Sequence, residues 1–184
     1  ADTKTHSYAS TGTYTVTVTV TDGNCSEVAS ITFNVNEEPT GSVVASNMNC
    51  NGVCDGSLDL TVTNGAAPYS YSWDNGAGTS EDPNSLCVNT YNVTITDANG
   101  CTTTAVGTIT EPTTLMASAT GNNVSCNGFA DGALTATSSG GTSPYTYDIG
   151  NGPQSSGSFT GLTAGNYSIT IREFYNVNTI REFF

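Results

Sequence analysis

The residues of this chain best suited to chemistry are its six cysteines, and an internal repeat provides a control on how they pair. A shift of 76 residues lays Cys50-Asn51-Gly52 on Cys126-Asn127-Gly128, Asp55-Gly56-Ser57-Leu58 on Asp131-Gly132-Ala133-Leu134, and Pro68-Tyr69-Ser70-Tyr71 on Pro144-Tyr145-Thr146-Tyr147. Leu86 and Tyr91 fall on Leu162 and Tyr167 in the same ungapped register. Cys54 and Cys87 are replaced together in the second copy, by Ala130 and Thr163, as expected if they bond to each other. Cys50 and Cys101 then remain in the first copy and are expected to form a second disulfide. Each closed loop would restrict the unfolded chain by about 4 kcal/mol in the chain-entropy picture. That is a large contribution for a small core.

The other two cysteines lack partners. Cys126 matches Cys50, but Val177 stands where Cys101 would fall, and Cys25 matches Cys101 with no upstream counterpart. Two readings follow. Either Cys25 of one molecule bonds Cys126 of the next, or both partners lie in polypeptide outside this chain.

Remaining chemistry is sparse. Asp55, Asp59, Asp97 and Asp131 sit near turns and could supply oxygen ligands to a structural calcium ion. No EF-hand-like or nonapeptide spacing accompanies them, so ordinary turn carboxylates are favoured. No other cofactor is implied. His6 is the lone histidine and reads as a strand or loop residue, so no triad can be assembled and an enzyme is not expected. Trp73, Tyr69, Tyr71, Tyr145 and Tyr147 alternate as core or sheet-face residues do, with sugar stacking as the functional alternative. Four sequons, at Asn24, Asn92, Asn123 and Asn166, are candidate glycosylation sites.

The elements that would position these residues are strands. Tyr14–Val20 alternates apolar residues with Thr, and Leu58–Val62, Tyr69–Trp73, Tyr91–Ile95 and Ala105–Ile109 follow the same period of two. Asn64-Gly65, Asp74-Asn75-Gly76 and Asp97-Ala98-Asn99-Gly100 supply turns. No segment has helical periodicity. Glu37-Glu38-Pro39 and Glu111-Pro112 follow final strands and read as linkers. The predicted fold is all-β, a tandem of Ig-like antiparallel β-sandwich modules. Only 10% of residues are charged, and the net charge is −13 with Lys4, Arg172 and Arg181 as the basic residues. Nucleic acid is therefore not an expected partner. No apolar run is long enough to cross a bilayer as a helix, so direct membrane insertion is not expected either. The absence of a signal peptide at Ala1 reads as a processed secreted product or an excised fragment. Six cysteines suggest an oxidising compartment.

Cys-Asn-Gly, Asp-Gly, Pro-Tyr-x-Tyr-x-Trp, then Leu-x-x-x-x-Tyr-x-Val-x-Ile-x-Asp-Ala-Asn-Gly-Cys and a closing Thr-Ile-Thr-Glu-Pro resembles the SprB repeat of Bacteroidota surface adhesins. The resemblance covers 41–112 fully and most of 113–171. His6-Ser7-Tyr8 with Gly12–Val16 is similar to the closing strands of a PKD or related Ig-like module. It implies extracellular, multi-domain surface proteins serving adhesion, gliding or filament building, and no catalytic residues. The second copy departs at Glu173-Phe174-Tyr175-Asn176-Val177, where Asp-Ala-Asn-Gly-Cys is expected.

The sequence therefore predicts three pieces. Residues 1–40 are closing strands, 41–112 a complete repeat, and 113–184 a second repeat lacking its usual last strand, with a strand-prone tail at 172–184. The chain is expected to start and stop inside domains. Its expected function is that of a structural subunit of an extracellular filament or adhesin stalk, on a cell surface or secreted, joined head to tail to copies of itself by strand complementation. Tyr14, Val16, Val18, Val20, Ile171, Phe174, Ile180 and Phe183 are the candidate polymerisation residues. A glycan-binding adhesion module is the alternative, with surface glycans as partners.

Overall fold

The structure is a computed structural model that describes residues 4–173 and 177–179. The expectations for Phe174, Ile180 and Phe183 lie outside the described residues. All regular secondary structure among the described residues is β.

Strands β1 (Gly12–Asp22) and β2 (Cys25–Val35) form an antiparallel hairpin. The first repeat follows as β3 (Thr40–Ser46), β4 (Gly56–Thr63), β5 (Ser70–Trp73), β6 (Asn84–Leu86), β7 (Asn89–Thr96) and β8 (Thr102–Ile109). They make two sheets, ordered β3-β4-β6 and β5-β7-β8. The second repeat has the same plan. Its strands β9 (Met116–Asn122), β10 (Gly132–Ser139), β11 (Tyr145–Asp148), β12 (Ser158–Leu162), β13 (Thr170–Glu173) and β14 (Val177–Thr179) give sheets β9-β10-β12 and β11-β13-β14. β14 corrects the expected absence of a closing strand. A strand pairs with β13 there.

Packing divides the chain into two compact units, Ala1–Val44 with Leu58–Pro83 and Tyr91–Gly107, and Ala45–Ser57 with Asn84–Thr90 and Thr108–Phe184. The division cuts through the first repeat rather than along the predicted linkers. In the first unit, alternation buries one face of β7, so that Tyr91, Val93 and Ile95 are all enclosed. The facing sheet comes close enough to require small residues. A Cβ at Gly107 would meet Leu58 Cδ2 and Val43 Cγ1, each at 2.7 Å, and one at Gly41 would strike the Ile95 side chain. In the second unit, Leu134, Ala136, Phe159, Tyr147, Ile169 and Ile171 form a core drawn from both sheets of the second repeat. Ile171 is 2% exposed, which corrects its expected place at a polymerisation edge. It points inward as Ile95 does.

The 76-residue register persists in hydrogen bonds. Asp55 accepts from the backbone N–H and side chain of Asn49, and Asp131 does the same for Ser125. The backbone N–H of Ala66 donates to Asp97 at 3.0 Å, and that of Thr142 donates to Glu173 at 2.7 Å. The longer side chain at 173 thus keeps the role of the aspartate it replaces. Tyr69 donates to the Asn64 carbonyl and Tyr145 to that of Gly140. Both repeats also bulge at a buried glycine, Gly56 and Gly132.

Candidate assembly surface

In the β1–β2 hairpin, residues directly opposite each other share a face. Tyr14 opposes Phe33, Val16 opposes Ile31, Val18 opposes Ala29 and Val20 opposes Glu27. The other face is built from Thr13, Thr15, Thr17, Asn34, Thr32 and Ser30, with Thr15 and Thr32 joined by their hydroxyls at 3.0 Å. This is the pattern of a strand pair with a buried side. That side is open here. Val18 is 55% exposed and Ile31 66% exposed, whereas Val93 and Ile95 of the similarly patterned β7 are at 0%. Only the Tyr14–Phe33 end gains cover, from the Tyr8 ring lying 4.2 Å from that of Tyr14 and 5.2 Å from that of Phe33. His6 stacks edge-on against Tyr8 and has no acidic or nucleophilic neighbour described.

The cysteines divide unevenly. Cys54 and Cys87 are bonded, as their joint loss from the second repeat implies. Cys50 and Cys101 are separate thiols, which corrects the expected second disulfide. Cys50 is buried, and that burial, followed by the Glu173 and Asp55 carboxylates, pushes its pKa up. Cys101 is pushed the same way by burial and then by Asp97 and Glu38. Both shifts disfavour the thiolate that exchange chemistry requires. Cys25 and Cys126 are both exposed.

Cys50 sits in a clasp that sequence reasoning missed. The Asn51 amide donates to the Pro112 carbonyl at 3.0 Å, its oxygen accepts from Thr114, and the Gly52 N–H donates to Glu111 at 2.8 Å. Thr142 donates to the Asn49 carbonyl at 2.5 Å. The loop is thereby fixed to the segment 111–114 and to the second repeat, which explains why it groups with the second unit. No local motif announces these contacts, because they join residues more than 50 apart in sequence.

The carboxylates expected near turns are occupied as backbone acceptors. Asp97 is buried, which by itself raises its pKa. The N–H groups of Ala66, Cys101 and Asn99 outweigh this and hold it below the usual carboxylate range. Hydrogen bonds from Asn49 and Ser125 lower Asp55 and Asp131 in the same way. Asp59 is exposed on β4. Among the described residues no three His, Cys, Asp or Glu side chains are grouped to hold a metal ion.

The aromatic residues are largely committed. Trp73 is buried and its indole donates to the Ser80 carbonyl at 2.9 Å, and Tyr147 is buried with its hydroxyl 2.7 Å from that of Ser138. Burial and then Glu81 push the Tyr71 phenol up to about 12. The four sequon asparagines are exposed. The amide nitrogen of Asn92 is engaged by Asp74 at 2.8 Å, unlike the other three in the bonds described.

These features define a class: tandem all-β repeats whose conserved geometry is structural and whose open surfaces are strand faces. Residues 42–78 and 118–154 match the family model of the SprB repeat, at the same 76-residue offset as the sequence register. No curated protein matches the chain. SprB repeats belong to cell-surface, adhesin-like proteins, and the match supports a surface repeat protein. The Cys54–Cys87 disulfide agrees with an extracellular setting.

Proposed function

We propose that this chain is a structural segment of an extracellular fibre or adhesin stalk whose copies join head to tail by strand complementation. The observation that carries this reading is the open apolar face of β1–β2. Its side chains alternate like those of β7, yet nothing among the described residues covers Val18, Val20 or Ile31. An uncovered two-stranded sheet is unstable alone in water and is stabilised when an apolar surface closes over it. A second copy supplies such a surface, and a contact between different faces of identical subunits propagates into a fibre. Exposure of Cys25 and Cys126 leaves both thiols available to lock that contact under oxidising conditions.

Nothing favours the sugar-stacking alternative over this reading. Trp73 and Tyr147 are enclosed, and the Tyr69 and Tyr145 hydroxyls are spent on backbone carbonyls. The direct test is negative-stain imaging with non-reducing gels of the oxidised protein. Fibres, and ladders of linked chains that disappear in Cys25→Ser, are expected. Single particles with no interchain disulfide at any concentration would overturn the reading.

A further inference from the structure

We propose that Thr142 and Glu173 form a docking face for the Cys-Asn-Gly loop of a preceding repeat, and that these two positions decide which repeat can follow which. The partner this face fits is a repeat of the same family, and in this chain it is the first repeat.

The loop at residues 49–52 is held from two sides. The segment 111–114 takes one side, through the bonds of Asn51 to Pro112 and Thr114 and of Gly52 to Glu111. The second repeat itself meets the other. The Thr142 hydroxyl donates to the Asn49 carbonyl, and the Cys50 thiol lies within hydrogen-bonding reach of the Glu173 carboxylate, with both side chains buried. Glu173 is set in place for this contact by its own repeat. Its carboxylate accepts from the Thr142 N–H at 2.7 Å and runs so close to Gly141 that a Cβ on that glycine would overlap it. The Gly141 N–H in turn donates to the Thr113 carbonyl at 2.7 Å, so residues 141 and 142 reach both the linking segment and the loop.

The first repeat shows which part of this arrangement folding requires. Shifted by 76, Thr142 and Glu173 become Ala66 and Asp97, so the hydroxyl and the longer reach are lost together. The local bond survives. The Ala66 N–H donates to Asp97 at 3.0 Å, as that of Thr142 does to Glu173. The rest of the docking face does not survive, because Ala66 has no side-chain donor and Asp97 is one methylene shorter. The Asp97 carboxylate also takes the N–H groups of Asn99 and Cys101, at 2.9 and 2.8 Å. Joint replacement is the same pattern that marks Cys54 and Cys87 as partners. A carboxylate of either length closes the repeat's own turn, whereas glutamate together with threonine serves the neighbour.

The order of repeats thereby gains a physical basis. A carbonyl drawn into a contact without a donor costs free energy, so a face that lacks the donor is disfavoured against one that has it. A repeat with Thr and Glu at these positions satisfies the Cys-Asn-Gly loop. One with Ala and Asp leaves the loop carbonyl and the buried thiol without partners.

The test uses the full chain in a Cys25→Ser, Cys126→Ser background, in which Cys50 and Cys101 are the free thiols. Alkylation by iodoacetamide is followed by mass spectrometry, with Cys101 as the internal standard. Thr142→Ala with Glu173→Asp gives the second repeat the face of the first while keeping the carboxylate. Cys50 is expected to react at least tenfold faster, relative to Cys101, than in the parent. Thr142→Ala alone leaves the charge around the thiol unchanged and should give at least a threefold rise, with Thr142→Ser returning the parent rate. Unchanged protection of Cys50 in the double variant would overturn the proposal, since the segment 111–114 would then hold the loop by itself. Should the double variant lose amide protection in β10 and β13, and so report unfolding, the single variants decide. No rise in Thr142→Ala, or a rise that Thr142→Ser shares, overturns the proposal equally.

Discussion

β1 and β7 carry nearly the same message and meet different fates. Tyr14-x-Val16-x-Val18 and Tyr91-x-Val93-x-Ile95 have the same period, aromatic start and β-branched followers. One set is closed under a facing sheet with no accessible surface at Val93 and Ile95, and the other is left open along most of its length. Alternation therefore specifies that a strand has an apolar face, and fixes which residues are on it, without specifying what covers it.

Substitutions should separate the two strands sharply. Ile95→Ala removes a fully enclosed side chain and is expected to cost about 2–5 kcal/mol of unfolding free energy in a denaturant titration. Next in size is the disulfide. Cys54→Ser with Cys87→Ser opens a loop spanning 33 positions and is expected to cost about 4 kcal/mol in the chain-entropy picture, seen as a lower denaturation midpoint in the first repeat alone. Val18→Ala, at the place in β1 that corresponds to Ile95, should change the stability of the dilute chain by less than about 0.5 kcal/mol. If Val18→Ala proved as costly as Ile95→Ala in dilute solution, the hairpin would have an intramolecular cover and the comparison would fail.

Acid gives a smaller and more diffuse effect. The folded-state pKa values of Asp55, Asp74, Asp97 and Asp131 lie below their ordinary values, so their hydrogen bonds contribute in full above the unfolded carboxylate range near 3.9. That contribution is lost as pH falls through the depressed folded values. Thermal midpoints should hold steady from pH 7 to about 5 and decline below about pH 4. Asp131→Asn should flatten the decline in the second repeat, because its amide cannot accept at both oxygens as the carboxylate does from Ser125.

Much of this fold was legible from residue types. β1, β4, β5, β7 and β8 follow from period-two runs, and the Cys54–Cys87 bond from the joint loss of both residues in the second copy. β3 was not, because its inward positions Gly41, Val43 and Ala45 are too small to stand out against the Thr and Ser between them. β6 has three residues, too few to show a period. The expected Cys50–Cys101 bond failed for a different reason. Pairing the two leftover cysteines ignores where each side chain packs, and Cys50 packs beside Glu173 of the next repeat. Ile171 was recognisable as a strand residue, but its role in a core required the facing sheet to be known.

Amide hydrogen exchange at low and high protein concentration tests the open face most directly. Protection of β1 and β2 should rise with concentration, while β7 stays equally protected throughout. A hairpin as protected in dilute solution as in concentrated solution would show that no second copy covers it.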